Sequence, residues 1–136
     1  MNDCVLRFPA TLDGFAGASE ALRLLLDERG LEGRSRYYVE LVFEEIVANI
    51  VRHGEAEHLE PEVEVALAFE AAAVVLRFRD DGTPFDPREH VPDRSGQEDE
   101  RLGGFGIKIV RHVSSTVDYE RTADAQNCLT VTIATS

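Results

Sequence analysis

Two short motifs carry residue types suited to binding a ring with an amino group and a phosphate. Asp80 follows an apolar segment and precedes Gly82. A carboxylate leaving a strand can accept a hydrogen bond from an exocyclic amine, and a nearby glycine lets a ring approach the backbone. Gly104 and Gly106 precede a helical pattern, where glycines expose N–H groups at the positive helix end, which suits phosphate. Taken alone, the first motif also fits an ordinary turn, and the second is neither a Walker A loop nor a Rossmann fingerprint.

A third pattern is a stripe of polar residues inside an apolar segment. Glu45, Asn49 and His53 recur at four-residue intervals, while residues 37–51 are otherwise rich in Val, Ile, Leu, Phe and Tyr. Residues at this spacing share one side of an α-helix. The helix is apolar enough to be largely buried, so these side chains must have polar partners. The alternative is a polar helix edge, with His53 favoured near the C-terminal dipole.

The motifs together are more specific than any one of them. In order, the chain contains Glu45-x3-Asn49-x3-His53, Asp80-x-Gly82, a charged loop and Gly104-x-Gly106. This order resembles the N box and the two glycine boxes of the GHKL ATPases, which include DNA gyrase, histidine kinases and MutL. Within that superfamily the chain most resembles the small bacterial anti-sigma-factor serine/threonine kinases of the SpoIIAB and RsbW type. The resemblance covers nearly the whole chain.

The resemblance implies roles for the three residues of the helical stripe. Glu45 matches the family's general base, which would accept the proton of a serine hydroxyl on a partner protein or activate water. Asn49 matches the residue whose side-chain oxygen holds Mg²⁺. The spacing agrees, because residues at i and i+4 lie about 5–6 Å apart on one helix face. His53 matches a histidine common after this box, with a positional role.

The resemblance also implies an adenine site and a phosphate site. Asp80 matches the aspartate that accepts a hydrogen bond from the adenine amino group, and Gly82 matches the glycine beside the ring. Gly104 and Gly106 match the glycines that close over the phosphates. Residues 87–102 correspond to the ATP lid, and the whole chain, 1–136, to one histidine-kinase-like ATPase domain.

The function implied is that of an ATP-dependent protein serine/threonine kinase with ATP and Mg²⁺ as cofactors. Its expected partners are a STAS-type anti-sigma antagonist, which it would phosphorylate in a bacterial partner-switching circuit, and a sigma factor. The alternative is a binding module with little or no turnover, whose affinity for proteins depends on ATP. The resemblance leaves open whether the chain forms a homodimer.

The sequence predicts five strands and three helices as the elements that position these motifs. Apolar periodicity and turn residues predict helices at about 12–29, 35–53 and 106–113, with Thr11 or Asp13 and Ser35 as N-caps. Strands are predicted at 4–8, 62–69, 73–79, 116–120 and 129–135. Hairpins predominate and no βαβ rhythm repeats. The pattern therefore predicts an α+β, two-layer sandwich with a mostly antiparallel sheet and helices on one face, and the resemblance identifies it as the Bergerat ATP-binding fold.

Composition narrows the classes of partner. Lys and Arg total 14 and Asp and Glu total 26, which gives a formal net charge of −12. An acidic surface repels nucleic acid and anionic lipid, so neither is an expected partner. The sequence shows no signal peptide and no membrane-spanning segment, which favours a cytoplasmic protein. Cys4 and Cys128 fit neither a disulfide framework nor a metal site, and are expected to be two small buried hydrophobic residues.

Overall fold

The structure is a computed structural model that describes residues 3–53, 62–82 and 104–135. The described part has a two-layer α+β architecture with a five-stranded sheet, which confirms the predicted fold class. Its elements are β1 (Asp3–Pro9), α1 (Leu12–Arg29), α2 (Gly33–His53), β2 (Glu62–Phe69), β3 (Ala73–Asp80), α3 (Gly104–Val113), β4 (Thr116–Arg121) and β5 (Asn127–Ala134). The predicted lid, residues 87–102, lies outside the described residues.

The sheet has the strand order β1-β2-β3-β5-β4, and each of its neighbouring pairs is antiparallel. Burial alternates along the central strands, as a sheet covered on one face requires. In β2 the alternate residues Val63, Val65 and Leu67 have no solvent exposure. Helix α2 packs on β3 and β5, α1 packs on β1 and α2, and α3 packs on α2, so the helices form the second layer.

One cross-strand row closes the buried face at one end of the sheet. Its register pairs Phe8 with Val63, Val63 with Asp80, Asp80 with Asn127, and Asn127 with Arg121. The row is apolar on its β1 side and polar on its β5 and β4 side. The end of β3 therefore brings a carboxylate onto the face that the helices cover.

Both ends of α1 are capped as the sequence indicates. Thr11 is the N-cap, and its Oγ1 accepts a hydrogen bond from the Gly14 N–H at 3.0 Å. Gly30 ends the helix with φ +71°, and its N–H reaches the carbonyls of Asp27 and Leu26. Glycine adopts this left-handed conformation without the steric cost that a Cβ would impose.

Two helix starts differ from the prediction. The predicted N-cap Ser35 is wrong, because α2 begins two residues earlier, at Gly33. Gly33 has φ +72°, a left-handed conformation that glycine adopts without strain. The chain can therefore turn sharply between α1 and α2, and α2 starts before Ser35. Helix α3 likewise begins at Gly104 rather than at Gly106.

Phe43 joins the two layers. Its ring lies 6.2 Å from that of Phe8 in β1, 6.4 Å from that of Phe15 in α1 and 6.4 Å from that of Phe78 in β3, centroid to centroid. Phe43 is completely buried and Phe78 nearly so. Tilted aromatic pairs at this distance add stabilisation beyond the area they bury. This cluster fixes how far α2 can slide along the sheet.

Close contact between α1 and β1 depends on a glycine. A Cβ placed on Gly14 would lie 2.1 Å from the carbonyl oxygen of Pro9, whereas a Cβ on Gly17 would meet no atom within 4 Å. Both glycines lie in α1, so they form a matched pair in which one tolerates a side chain and the other does not.

We expect opposite effects from alanine at these two positions. Gly14→Ala should lower the free energy of unfolding by about 1–3 kcal/mol, because the new methyl group displaces a backbone segment. Gly17→Ala should raise it by up to about 1 kcal/mol, because alanine favours the helix. Urea denaturation followed by circular dichroism measures both changes. Equal effects of the two substitutions would contradict the close approach at Gly14.

Candidate functional site

Asp80 ends β3 with a buried carboxyl group that two donors hold from one side. Its Oδ1 accepts a hydrogen bond from the Gly82 N–H at 2.9 Å and another from the Asn127 side-chain amide at 3.1 Å. The residue is 7% exposed. Both hydrogen bonds that Asp80 accepts from the described residues end on Oδ1, so Oδ2 is the oxygen available to a donor on a ligand.

Asn127 is itself held in one orientation. Its Oδ1 accepts hydrogen bonds from the Tyr119 hydroxyl and from Nη1 of Arg121, the latter at 3.2 Å. These two donors identify the oxygen of the amide, so its nitrogen must face Asp80. Arg121 Nη1 also donates to the Gly82 carbonyl at 2.9 Å. Strands β4 and β5 thus fix both the carboxylate and the backbone that follows it.

Burial raises the pKa of Asp80 above the ordinary aspartate value. Desolvation of the carboxylate is the largest cause, and the nearby Asp81 adds to it. The hydrogen bonds from Gly82 and Asn127, together with the charge of Arg121, act in the opposite direction. Burial therefore disfavours the charged form of Asp80, and the hydrogen bonds and Arg121 partly offset this effect.

A second polar group lies on α2. Asn49 is 3% exposed, and its Nδ2 donates to the backbone carbonyl of Glu45 at 2.8 Å. Its Oδ1 accepts a hydrogen bond from Nη2 of Arg52 at 2.5 Å. The buried amide is thus satisfied at both ends, which answers the requirement for partners that the sequence raised.

Glu45 is partly buried one helical turn before Asn49. Its pKa is raised, first by desolvation and then by the neighbouring charge of Glu44, while the positive charge of Arg52 lowers it. The direction agrees with the shift expected for a carboxylate on a largely buried helix. A raised pKa makes a carboxylate a stronger proton acceptor once it is ionised.

The core joins the elements that carry the helix group and Asp80. Glu45 lies two residues beyond Phe43 on α2, and Asp80 lies two residues beyond Phe78 on the same side of β3. The rings of Phe43 and Phe78 are in contact, and α2 packs on β3. The helix and the strand that carry these groups are therefore packed against each other.

The remaining predicted residues are placed by their backbone. His53 is the last residue of α2, and Gly104 and Gly106 lie in the first turn of α3. The glycines stand at a helix N-terminus, as the phosphate role requires. Since α3 packs on α2, this N-terminus belongs to the same layer as Glu45 and Asn49.

Four residues around these groups were not singled out by the sequence. They are Arg52, Tyr119, Arg121 and Asn127. No local pattern identified Asn127 or Arg121, because the register of β5 with β3 places Asn127 opposite Asp80 and the register of β5 with β4 places Arg121 opposite Asn127. The sequence analysis left Asn127 between the predicted strands 116–120 and 129–135, because the polar residues before it are typical of a turn.

The residues present fit ATP and a divalent cation on two observations. Asp80 Oδ2 has no hydrogen-bond partner among the described residues, and Asn49 Oδ1 already binds a cationic group, the Arg52 guanidinium. Within the described residues, no group of three or more His, Cys, Asp or Glu side chains could hold a metal. A metal there would share Asn49 with ligand phosphates, as Mg²⁺ does in many nucleotide sites.

Comparisons with known proteins identify the family of this domain. The histidine kinase-like ATPase domain family matches residues 8–133. The serine/threonine-protein kinase BtrW of Bordetella bronchiseptica is 29% identical over 101 residues, which is 73% of this chain and 70% of BtrW.

Solved structures share the fold at lower identity. The RsbU and RsbW domains of Rv1364c from Mycobacterium tuberculosis align with a TM-score of 0.67 and 19% identity, over 98% of this chain. This chain spans 32% of that one. The SiaB–SiaC complex from Pseudomonas aeruginosa aligns with a TM-score of 0.60 and 15% identity, over 96% of this chain and 89% of the other.

The chain belongs to the histidine kinase-like ATPase domain family, which confirms the GHKL resemblance of its motifs. Membership in an ATPase domain family implies that it binds ATP. In the described ranges 3–53, 62–82 and 104–135, the helices are too short or too polar to cross a membrane.

The raised pKa of Asp80 predicts a stability change that depends on pH. In the nucleotide-free protein, the carboxyl group favours folding below its unfolded pKa, and this contribution is lost as pH rises through the raised folded value. Asp80→Asn removes the buried charge but keeps an oxygen for Gly82 and Asn127. The variant should therefore unfold at a temperature a few degrees higher than wild type near pH 7.5, since about 1 kcal/mol shifts Tm by roughly 2–8 °C.

This advantage should shrink as the pH falls towards about 4. Thermal unfolding without nucleotide at several pH values measures it. Asp118→Asn, at an exposed position in β4, is the control and should leave Tm nearly unchanged. A lower Tm for Asp80→Asn than for wild type at neutral pH would contradict the assigned burial of the charge.

Proposed function

We propose that this protein is an ATP-dependent serine/threonine kinase that phosphorylates an anti-sigma antagonist in a bacterial partner-switching circuit. The observation that carries the proposal is the pair formed by Glu45 and Asn49 on α2, where the amide is anchored to the Glu45 carbonyl. A module that only binds nucleotide has no need for a partly buried carboxylate one turn from a metal ligand. The similarity to BtrW, named a serine/threonine-protein kinase, supports this choice.

Each residue has a role in the proposed reaction. Asp80 accepts a hydrogen bond from the adenine amino group through Oδ2, and Gly82 lets the ring approach. Gly104 and Gly106 present backbone N–H groups to the phosphates, and Asn49 binds Mg²⁺. His53 has a positional role at the end of α2. When bound, ATP supplies the γ-phosphoryl group and Mg²⁺ offsets the charge of its phosphates.

Glu45 is the proposed base. It accepts the proton of a serine or threonine hydroxyl, whose oxygen forms the new bond to phosphorus while the leaving ADP takes the electron pair of the broken bond. The acceptor hydroxyl belongs to a second protein, a STAS-type antagonist, and a sigma factor is the second partner. This assignment treats residues 1–136 as one domain, with residues 87–102 as its lid.

The adenine assignment predicts a base preference. GTP has a carbonyl where ATP has the 6-amino group, so it offers Asp80 an acceptor in place of a donor. We expect ATP to bind roughly tenfold or more tightly than GTP, and Asp80→Asn to weaken ATP binding by about 1–3 kcal/mol. Isothermal titration calorimetry with both nucleotides measures this. Equal affinities for ATP and GTP would exclude Asp80 as the adenine contact.

The proposed base predicts a separation of binding from turnover. Glu45→Gln keeps the shape of the side chain but cannot take up a proton, so it should reduce phosphotransfer by roughly 10²-fold or more and leave ATP affinity nearly unchanged. The measurement is transfer of labelled phosphate from ATP to candidate antagonists, beside calorimetric ATP affinity. Glu44→Gln is the matched control, since Glu44 is adjacent on α2 but exposed, and it should retain transfer.

The same assay distinguishes the alternative function. If wild type binds ATP but shows neither phosphotransfer nor slow ATP hydrolysis, and Glu45→Gln binds partners as wild type does, the protein is an ATP-dependent binding module. If both glutamate variants lose transfer equally, Glu45 has no special role. Because the base must be ionised, transfer by wild type should fall as the pH is lowered through the raised pKa of Glu45.

A further inference from the structure

Arg52 occupies the side of Asn49 that a metal ion would need. Its Nη2 lies 2.5 Å from Asn49 Oδ1, and it is the penultimate residue of α2. The amide has a single oxygen, and its nitrogen is already engaged, because it donates to the Glu45 carbonyl at 2.8 Å. A cation that binds Oδ1 must therefore share the oxygen with the guanidinium or replace it.

The same guanidinium also acts on the carboxylate of Glu45. Its positive charge lowers the pKa of Glu45, against the effects of burial and of Glu44. Asn49 is nearly fully buried, and Arg52 and Glu45 are partly buried, so these interactions are screened less than those at an open surface. One side chain thus satisfies the amide oxygen and partly balances the carboxylate.

We propose that Arg52 is the resident cation of the nucleotide-free site, and that it must leave Asn49 before Mg²⁺ can bind there. Competition from Arg52 then determines the Mg²⁺ concentration at which the metal increases the affinity for nucleotide. The inference rests on the metal role proposed for Asn49. Arg52 is therefore a positioning residue, which holds Asn49 Oδ1 until the nucleotide arrives with Mg²⁺.

Physical chemistry favours exchange over sharing. Mg²⁺ binds oxygen ligands at about 2.0–2.1 Å and demands near-octahedral geometry, and two cations on one oxygen repel each other. A guanidinium does not lose its proton in proteins, so Arg52 competes at every working pH. The long arginine side chain has several rotatable bonds, so it can leave Asn49 when the negatively charged phosphates of a nucleotide bind.

The test is a titration of ATP affinity against free Mg²⁺, from EDTA to about 10 mM, by calorimetry. Arg52→Met removes the competing cation and should move the midpoint of the Mg²⁺ dependence to a concentration about tenfold lower, the scale of one charge-assisted hydrogen bond. Arg52→Lys keeps a cation and should leave the midpoint near that of wild type. Arg34→Met, at an exposed position in the first turn of α2, is the matched control and should leave it unchanged.

Thermal unfolding without nucleotide gives a second readout. Arg52→Met leaves the buried Asn49 oxygen without its donor and should lower Tm, whereas Arg52→Lys should lose less. If the methionine variant does not fold, Arg52→Gln serves in its place, because it retains a neutral donor for Asn49 Oδ1. The same shift of the midpoint is expected for that variant.

The outcomes separate this inference from the proposed function. An unmoved midpoint in the methionine and glutamine variants overturns the resident-cation role, and so does uniform weakening of ATP binding at every Mg²⁺ concentration, which would mean that Arg52 acts only on phosphate. Wild-type affinity that does not depend on Mg²⁺ overturns both this inference and the metal role of Asn49, while ATP binding through Asp80 stands. Failure of wild type to bind ATP at all would instead overturn the proposed function.

Discussion

The packing of Phe43 is the constraint on which the rest of the structure depends. Its ring meets aromatic rings from β1, α1 and β3, so it joins both helices of the first half of the chain to the sheet. Glu45 and Asp80 each follow one of these phenylalanines by two residues, so the same contact holds the helix that carries Glu45 against the strand that carries Asp80. Interiors packed at crystal-like density do not slide continuously, so the core holds α2 in one position on the sheet.

At the end of the sheet, the carboxyl group of Asp80 is held in a buried position that disfavours its charged form. Asp80 lies on the central strand β3, where burial raises its pKa. Two donors on one oxygen and the nearby Arg121 partly compensate, and Tyr119 and Arg121 hold the amide that supplies one of those donors. The arrangement fixes the orientation of the carboxylate at a cost in stability, which is the usual relation between a preorganised site and the fold that carries it.

The helix group follows a different principle, because its members satisfy one another along α2. Asn49 donates to the Glu45 backbone and accepts from Arg52, so its amide is satisfied by residues of the same helix. A satisfied amide can remain buried on an apolar helix without the cost of an unpaired polar group. It also means that any ligand reaching Asn49 Oδ1 must exchange with an existing partner, so binding and rearrangement of this stripe are linked.

The sequence by itself determined the features that depend on local spacing. Hydrophobic periodicity predicted α1 at Leu12–Arg29 and β2 at Glu62–Phe69 with the bounds that the structure shows, because burial on one face imposes a period of 3.6 or 2 residues. The four-residue interval of Glu45 and Asn49 placed both on one helix face. The burial of Glu45, and hence the direction of its pKa shift, followed from the apolar residues around it.

Only the tertiary structure decided which distant residues complete the site. Asn127 meets Asp80 across 47 residues of sequence, and Arg121 reaches the Gly82 carbonyl across 39. Such contacts depend on strand order and register, which no local pattern encodes, and the polar residues before Asn127 indicated a turn instead. The start of α2 was also misjudged, because the left-handed backbone at Gly33 competes with the capping preference of Ser35. Arg52 and Asn49 are only three residues apart in the sequence. Their hydrogen bond nevertheless depends on how α2 is buried, and burial is a property of the whole fold.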